Sequence, residues 1–132
     1  MKKHKVIIIL IVLLYLLVGC SNTNNTPSSI STTTNNASPQ SVLKTNPDAD
    51  IFIMNNTVFM NATSIDWVTK LTLKEGKVLG KINETGVKKD FQNWNATKLN
   101  TNTIVYEVEG RSDIVLAKVD GKYVPYLKFV EG

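Results

Sequence analysis

The chain has 132 residues, enough for one domain, and a formal net charge of +4. Three of its 15 Lys and Arg residues stand before residue 6, so the other 12 face 11 Asp and Glu residues and give a net charge of +1. Such a nearly neutral chain lacks the concentrated basic surface that nucleic acids require, so we expect no nucleic-acid partner.

The first twenty residues have the features of a secretory signal. A basic start is followed by an uncharged apolar run from Val6 to Val18, and small Gly19 precedes Cys20, the only cysteine. Thirteen apolar residues are fewer than the ~20 that a membrane-spanning helix needs, so we expect cleavage; an uncleaved anchor is the alternative.

The order Leu17-Val18-Gly19-Cys20 resembles the lipobox of bacterial lipoprotein precursors. This resemblance implies cleavage between Gly19 and Cys20 and attachment of lipid to the Cys20 thiol. The mature chain would then be held by its first residue at the outer, extracytoplasmic face of the cell membrane, with membrane lipid as one partner.

A polar linker is predicted next. Residues 21–48 contain six Ser, six Thr, six Asn, three Pro and one Gln, which are 22 of 28 residues. The few apolar side chains are too scattered to bury a face, so the segment should stay flexible. We therefore divide the chain into a signal peptide (1–19), a lipidated cysteine with a disordered linker (20–48) and a small domain (49–132).

The domain begins with elements that predict β structure. Two apolar runs on either side of Asn55-Asn56 predict a hairpin buried on both faces. Ser64 is a candidate cap for a short helix over 65–70, although its β-branched residues also suit a strand. Glu75-Gly76 between two further runs predicts a second hairpin, and Phe91 and Trp94 are candidate plugs for one end of the core.

Three strands are predicted for the C-terminal third, at 103–108, 113–119 and 122–130, with turns at Gly110-Arg111 and Asp120-Gly121. Two-residue loops at both turns would align Tyr106, Val115 and Tyr126 in one cross-strand row, and Ile104, Ala117 and Val124 in the next. Pro125 cannot donate a hydrogen bond, so its strand should be an edge or carry a bulge. The sequence thus predicts a mainly β fold: a small antiparallel domain, with at most one short helix, that forms a partly open barrel. It resembles the small C-terminal domains of uncharacterised lipoproteins of Gram-positive, Bacillus-like bacteria.

Composition also restricts the chemistry. Once His4 and the free thiol of Cys20 are lost, no histidine- or cysteine-based catalytic or metal site can form, so we expect neither cofactor nor metal. Two carboxylates could still act as a glycosidase pair. The candidates by residue type alone are Asp66, Glu75, Glu84, Asp90, Glu107, Glu109, Asp113 and Asp120.

Alternation in the last strand places Tyr123, Leu127 and Phe129 on the side opposite Tyr126, and with Trp94 they are the predicted binding surface. Either side of the sheet could instead meet a partner, or both could be covered. The leading hypothesis is a non-enzymatic binding module for an unknown protein, peptide or cell-wall ligand. The alternatives are a cell-wall glycan hydrolase and an inhibitor or immunity protein against a secreted enzyme.

Overall fold

The computed structural model describes residues 37–131, so the predicted signal peptide, Cys20 and residues 21–36 lie outside the described part of the chain. The helices in that part are α1 (Pro39–Thr45) and α2 (Asp66–Thr69). The strands are β1 (Ile51–Met54), β2 (Thr57–Asn61), β3 (Glu75–Lys81), β4 (Ile104–Val108), β5 (Arg111–Val119) and β6 (Lys122–Lys128). The predicted mainly antiparallel β fold is confirmed.

The six strands form one antiparallel sheet in the order β1-β2-β6-β5-β4-β3, curled into a half-barrel. The segment 94–97 links its two ends. Trp94 and Thr97 donate their N–H groups to backbone carbonyls of β1. Between them, Ala96 donates to the carbonyl of Glu84, just beyond the end of β3. The outer edge of β1 is therefore paired rather than exposed.

Aromatic rings fill the inside of the half-barrel. Phe52 of β1 stacks on Phe59 of β2 with 5.4 Å between ring centroids, and meets the Tyr126 ring of β6 in a T-shaped contact at 5.3 Å. Val105 of β4 and Val115 of β5 belong to the same buried cluster. Side chains alternate along a strand, so the residues between these inward-facing positions point outward. They form two further buried clusters on the outside of the half-barrel, which we call the outer clusters.

The first hairpin is as predicted. Asn55 and Asn56 both have positive φ, at 50° and 56°, which asparagine tolerates and a two-residue turn of this kind requires. All four residues of β1 are buried, so the hairpin is covered on both faces. Phe52 points inward, whereas Ile51 and Ile53 pack in an outer cluster.

Helix α1 lies within the stretch predicted to be a disordered linker, so that prediction is wrong for residues 39–45. Ser38 caps this helix by accepting a 3.1 Å hydrogen bond from the Ser41 N–H group, and Pro39 begins it. Val42 is 5% exposed and packs against the outer cluster of β1 and β2. This one apolar contact can stabilise so short a helix because the sheet supplies the apolar surface on which the helix packs. The composition of the segment alone does not reveal this contact.

Helix α2 is shorter than the predicted helix, and the predicted cap is wrong. Ile65, not Ser64, is the N-cap residue, and no side chain caps the helix. Instead, the Asn61 side-chain oxygen accepts hydrogen bonds from the N–H and hydroxyl groups of Thr63, which forms a local turn before the helix. Val68 belongs to an outer cluster with Ile114 and Leu116, and Ile65 packs against that cluster.

The hairpin predicted at Glu75-Gly76 is wrong, because these are the first two residues of β3, which pairs with β4. Glycine occurs here for a different reason. A Cβ atom on Gly76 would lie 2.5 Å from the Cγ atom of Glu107, whose side chain crosses this point. The glycine thus permits a close approach and marks no turn.

The Asp120-Gly121 turn is confirmed, with positive φ at both residues and the expected pairs from Val119–Lys122 to Val115–Tyr126. The turn predicted at Gly110-Arg111 is wrong, because it lies one residue earlier, at Glu109-Gly110, and Arg111 begins β5. The register predicted from it is wrong as well. Val108 pairs with Arg111 and an irregularity follows, so Tyr106 pairs with Leu116. This is one residue away from the predicted register, and one residue moves a side chain to the other face.

Both predicted cross-strand rows therefore change. Tyr106 joins the outer cluster instead of lying beside Val115 and Tyr126. Val105, not Ile104, lies opposite Ala117, and Ile104 is 38% exposed.

The prediction for Pro125 is also wrong, since β6 lies between β2 and β5 and its pairing with β5 is continuous. The Pro125 carbonyl accepts from the Ala62 N–H group, at a point just past the end of β2. The Ala62 carbonyl accepts from Ile65 instead. The hydrogen bond that proline cannot donate is thus not required, and proline is tolerated inside the sheet.

Candidate functional site

An open groove of about 350 Å³ lies on the outside of the half-barrel, and we call it the Tyr123 groove. Its lining residues are Thr63, Val68, Thr69, Leu71, Leu73, Leu116, Tyr123 and Pro125. None of these eight side chains is charged, and the polar groups among them are hydroxyls. The volume lies at the lower end of the roughly 300–1,000 Å³ typical of small-molecule sites.

Two parts of the chain build this groove. The sheet supplies its floor, where Leu116 of β5 lies directly opposite Pro125 of β6. Helix α2 and the segment after it supply the wall, with Val68 buried and Leu71 and Leu73 half-buried against the same cluster. Alternation at Leu71-Thr72-Leu73 turns both leucines toward the sheet. The groove is the part of this contact that the short helix leaves open.

Tyr123 is exposed yet held on two sides. Its side chain is 40% exposed. Its ring meets Tyr106 in a T-shaped contact with 5.6 Å between centroids, and the Lys118 ammonium lies 5.6 Å from the ring centroid. Edge-to-face and cation–π contacts are favourable and fix the orientation of the ring. The groove therefore has a rigid aromatic group at its rim.

Apolar surface continues from the groove toward β3. Val78, Tyr106, Leu116 and Pro125 form one cross-strand row on the outer face. Val78 is 60% exposed at one end of this row, and Pro125 lines the groove at the other. Exposed apolar side chains that adjoin in this way are typical of interaction surfaces.

The four residues of the predicted binding surface do not lie together. Tyr123 lines the groove, and Leu127 packs beneath it in the same outer cluster. Phe129 packs against the other outer cluster, which is the one that α1 covers. Trp94 lies against the inner core, with its ring 6.3 Å from that of Phe52.

Sequence reasoning missed the groove wall. The hairpin predicted at Glu75-Gly76 places Leu71 and Leu73 in a strand, whereas they line the groove. The sequence prediction for Pro125 concerns only strand pairing, whereas this residue forms part of the groove floor.

Three of the eight carboxylates considered for glycan hydrolysis contact a cationic or N–H group. Glu109 pairs with Lys74 at 2.9 Å, and Asp113 pairs with Arg111 at 2.7 Å. Glu107 accepts a hydrogen bond from the Lys77 N–H group. Such contacts are typical of carboxylates that stabilise strands and turns.

A smaller cavity of about 200 Å³ has both polar and apolar walls, and we call it the polar cavity because the charged residues Asp50 and Lys98 line it. Its lining residues are Asp50, Asn61, Lys98, Leu99, Asn100, Thr103, Val119, Val124 and Tyr126. The Tyr126 hydroxyl donates to the Asp50 carboxylate, 2.9 Å from both oxygens. Burial and the adjacent Asp50 charge raise the pKa of the Tyr126 hydroxyl, so it stays protonated and acts as a donor.

No family model matches this chain, and we found no matching curated protein or solved structure. Within residues 37–131, no helix is long and apolar enough to cross a membrane. The same residues contain no cluster of three or more His, Cys, Asp or Glu side chains that could hold a metal ion.

Proposed function

We propose that this protein is a lipid-anchored, non-enzymatic binding module at the outer face of the cell membrane. In this proposal, the Tyr123 groove receives an apolar side chain from an extended segment of a protein partner. The anchor rests on Cys20 and the signal before it. The binding site rests on one observation above all: Tyr123 is 40% exposed although contacts with Tyr106 and Lys118 hold its ring in place.

A fixed, accessible tyrosine at the rim of an apolar groove is the arrangement of a binding hot spot. Fixing the ring before binding lowers the entropy lost on association. The absence of charge among the groove residues favours an apolar occupant over an ionic one. The row that continues to Val78 favours a partner larger than a small molecule.

The anchor is tested by Cys20→Ala, with Ser21→Ala as the matched control. We expect Cys20→Ala to abolish incorporation of labelled fatty acid, because the thiol accepts the lipid, and Ser21→Ala to leave it intact. Labelling of the Cys20→Ala protein would disprove the lipid anchor.

Photo-crosslinking from the full chain in its native membrane tests the groove. A photoreactive residue at Thr69, which is exposed and lines the groove, should crosslink one discrete partner. The same residue at Lys89, in the loop between β3 and β4, should not. Tyr123→Ser should abolish the Thr69 crosslink. An unchanged crosslink in the Tyr123→Ser protein, or no crosslink at all, would contradict binding in the groove.

A further inference from the structure

The polar cavity has no role in the proposed binding at the Tyr123 groove. It lies at the end of the half-barrel where Val119 and Val124 complete the inner core. The mouths of β-barrels are common places for small ligands. At about 200 Å³ the cavity is below the range for drug-sized ligands, so its occupant must be small.

Asp50 supplies a carboxylate that its neighbours hold in position. Besides the Tyr126 hydroxyl, the Asn61 side-chain amide donates to it at 2.8 Å. The Asn61 N–H group also donates to the backbone carbonyl of Asp50 at 2.9 Å, which fixes the main chain. An ionised carboxylate has about four lone-pair positions, so Asp50 can accept a further hydrogen bond from a ligand in the cavity.

Lys98 supplies the opposite charge, from a segment that is also fixed. The neighbouring Thr97 hydroxyl accepts from the Ile51 N–H group at 3.0 Å and donates to the Ala49 carbonyl at 2.7 Å. Thr97 thus joins the backbone next to Lys98 to the two residues on either side of Asp50. Leu99, on the other side of Lys98, is buried in the inner core.

These two opposite charges line one cavity without pairing to each other. The ion pairs of the described residues are Lys74–Glu109 and Arg111–Asp113, and neither includes Asp50 or Lys98. A ligand with a positive and a negative group can satisfy both charges at once. A neutral sugar would leave both without a counter-charge.

We propose that this cavity binds a small zwitterion of the α-amino acid class. The ligand ammonium donates to the Asp50 carboxylate, and the ligand carboxylate accepts from the Lys98 ammonium. An apolar ligand side chain packs on Leu99, Val119 and Val124, while Asn100 and Thr103 supply neutral hydrogen-bonding groups. This site is independent of the Tyr123 groove.

Calorimetric titration of the full chain in detergent micelles tests this inference, with L-leucine as the probe. Leucinamide lacks the carboxylate, and N-acetyl-leucine lacks the ammonium. We expect L-leucine to bind at least about tenfold more tightly than either analogue, because each analogue loses one charged contact. Glucose, which carries no charge, should not bind.

Substitution of Lys98 then tests the role assigned to its charge. Lys98→Gln should weaken L-leucine about tenfold and leave leucinamide unchanged, because leucinamide has no carboxylate for Lys98 to bind. Lys89→Gln, which also removes one exposed charge but lies outside the cavity, should change neither. Because Lys98 is exposed, its replacement should not disturb folding.

Several results would overturn the inference. One is that L-leucine and its analogues bind equally well, and another is that glucose binds in place of L-leucine. The others are that Lys98→Gln leaves the L-leucine affinity unchanged, or that about 10 mM L-leucine gives no heat of binding. None of these depends on the Tyr123 groove, so either site can fail without the other.

Discussion

Tyr123 and Tyr126 lie three residues apart on β6 and face opposite sides of the sheet. Tyr126 is 1% exposed, lies in the inner core and donates to Asp50. Tyr123 is 40% exposed on the outside, where only Tyr106 and Lys118 hold its ring. The same residue type, tyrosine, is thus part of the core on one face of the sheet and accessible to a partner on the other.

The two faces also differ in what covers them. Inside, the curl of the sheet brings β1, β4 and β6 together, so each strand covers the others. Outside, cover comes from short helices, and α2 has only four residues. A four-residue helix cannot cover the face of three strands, and the Tyr123 groove is what remains. The groove therefore follows from the architecture, and the predictions below test whether the two faces have separate roles.

The largest effect is expected from Tyr126→Ala. Removing this ring leaves a cavity among Phe52, Phe59 and their neighbours and should lower the free energy of unfolding by about 3–5 kcal/mol. Denaturant unfolding measures this. Tyr126→Phe keeps the ring and removes only the bond to Asp50, so it should cost less, about 1.5–3 kcal/mol. If Tyr126→Ala lowered the free energy of unfolding by less than Tyr123→Ala does, Tyr123 rather than Tyr126 would be the core residue.

Gly121→Val should have the next largest effect, because this turn sets the register of β6 against β5. Gly121 has a φ of +76°, and no atom lies within 4 Å of a Cβ placed there. The cost is therefore backbone strain without a clash, about 1–3 kcal/mol. Gly121→Asn is the matched control and should cost less, since asparagine tolerates positive φ. Equal melting temperatures for both variants would rule out strain as the cause.

The two C-terminal turns show how far sequence could predict this fold. Asp120-Gly121 is a strong local signal, and it gave the register from Val119–Lys122 to Val115–Tyr126 correctly. The turn predicted at Gly110-Arg111 lies instead at Glu109-Gly110, and it is followed by an irregularity in β5 that no local residue pattern indicates. One residue of difference put Tyr106 on the wrong face. Register is predictable where a turn alone sets it, and unpredictable where packing selects a bulge.

The candidate sites were harder to predict than the strands. Alternation correctly separated Tyr123 from Tyr126, because it depends on one strand only. The groove wall, with Leu71 and Leu73, depends on where a segment folds back over the sheet. The polar cavity joins Asp50 to Lys98 across 47 intervening residues. Contacts of this length leave no periodic signal, so neither site could be read from local pattern.

Tyr123→Ser should affect stability much less than Tyr126→Ala. The edge-to-face contact with Tyr106 is worth about 0.5–1.5 kcal/mol, and partial exposure reduces the rest, so we expect a loss of about 1 kcal/mol. Thermal unfolding measures this, alongside the crosslinking from Thr69. Near-native stability with loss of the crosslink would assign Tyr123 to binding. A stability loss as large as that of Tyr126→Ala would make Tyr123 a core residue.

The smallest effect concerns pH and distinguishes the Arg111–Asp113 pair from Tyr126 by its sign. Hydrogen bonds from the Arg111 guanidinium lower the pKa of the Asp113 carboxyl below its ordinary value of 3.8. A group whose pKa is lower in the folded state stabilises when ionised. This contribution is therefore complete above pH 3.8 and is lost as the pH falls through the lower, folded-state value.

Burial has the opposite effect on the inner face, where it raises the pKa of the Tyr126 hydroxyl. The contribution of that hydroxyl is complete below its ordinary pKa of about 10 and is lost only as the pH rises beyond it. Denaturant midpoints measured from about pH 6 to about pH 2 should therefore show the contribution of the Arg111–Asp113 pair and not that of the Tyr126 hydroxyl. Asp113→Asn and Arg111→Gln should each flatten the acid end of this curve, because each removes the same hydrogen bonds. Tyr126→Phe should lower the whole acid curve without changing its slope. If Tyr126→Phe flattened the acid end and Asp113→Asn did not, the acid response would belong to the Asp50 network on the inner face.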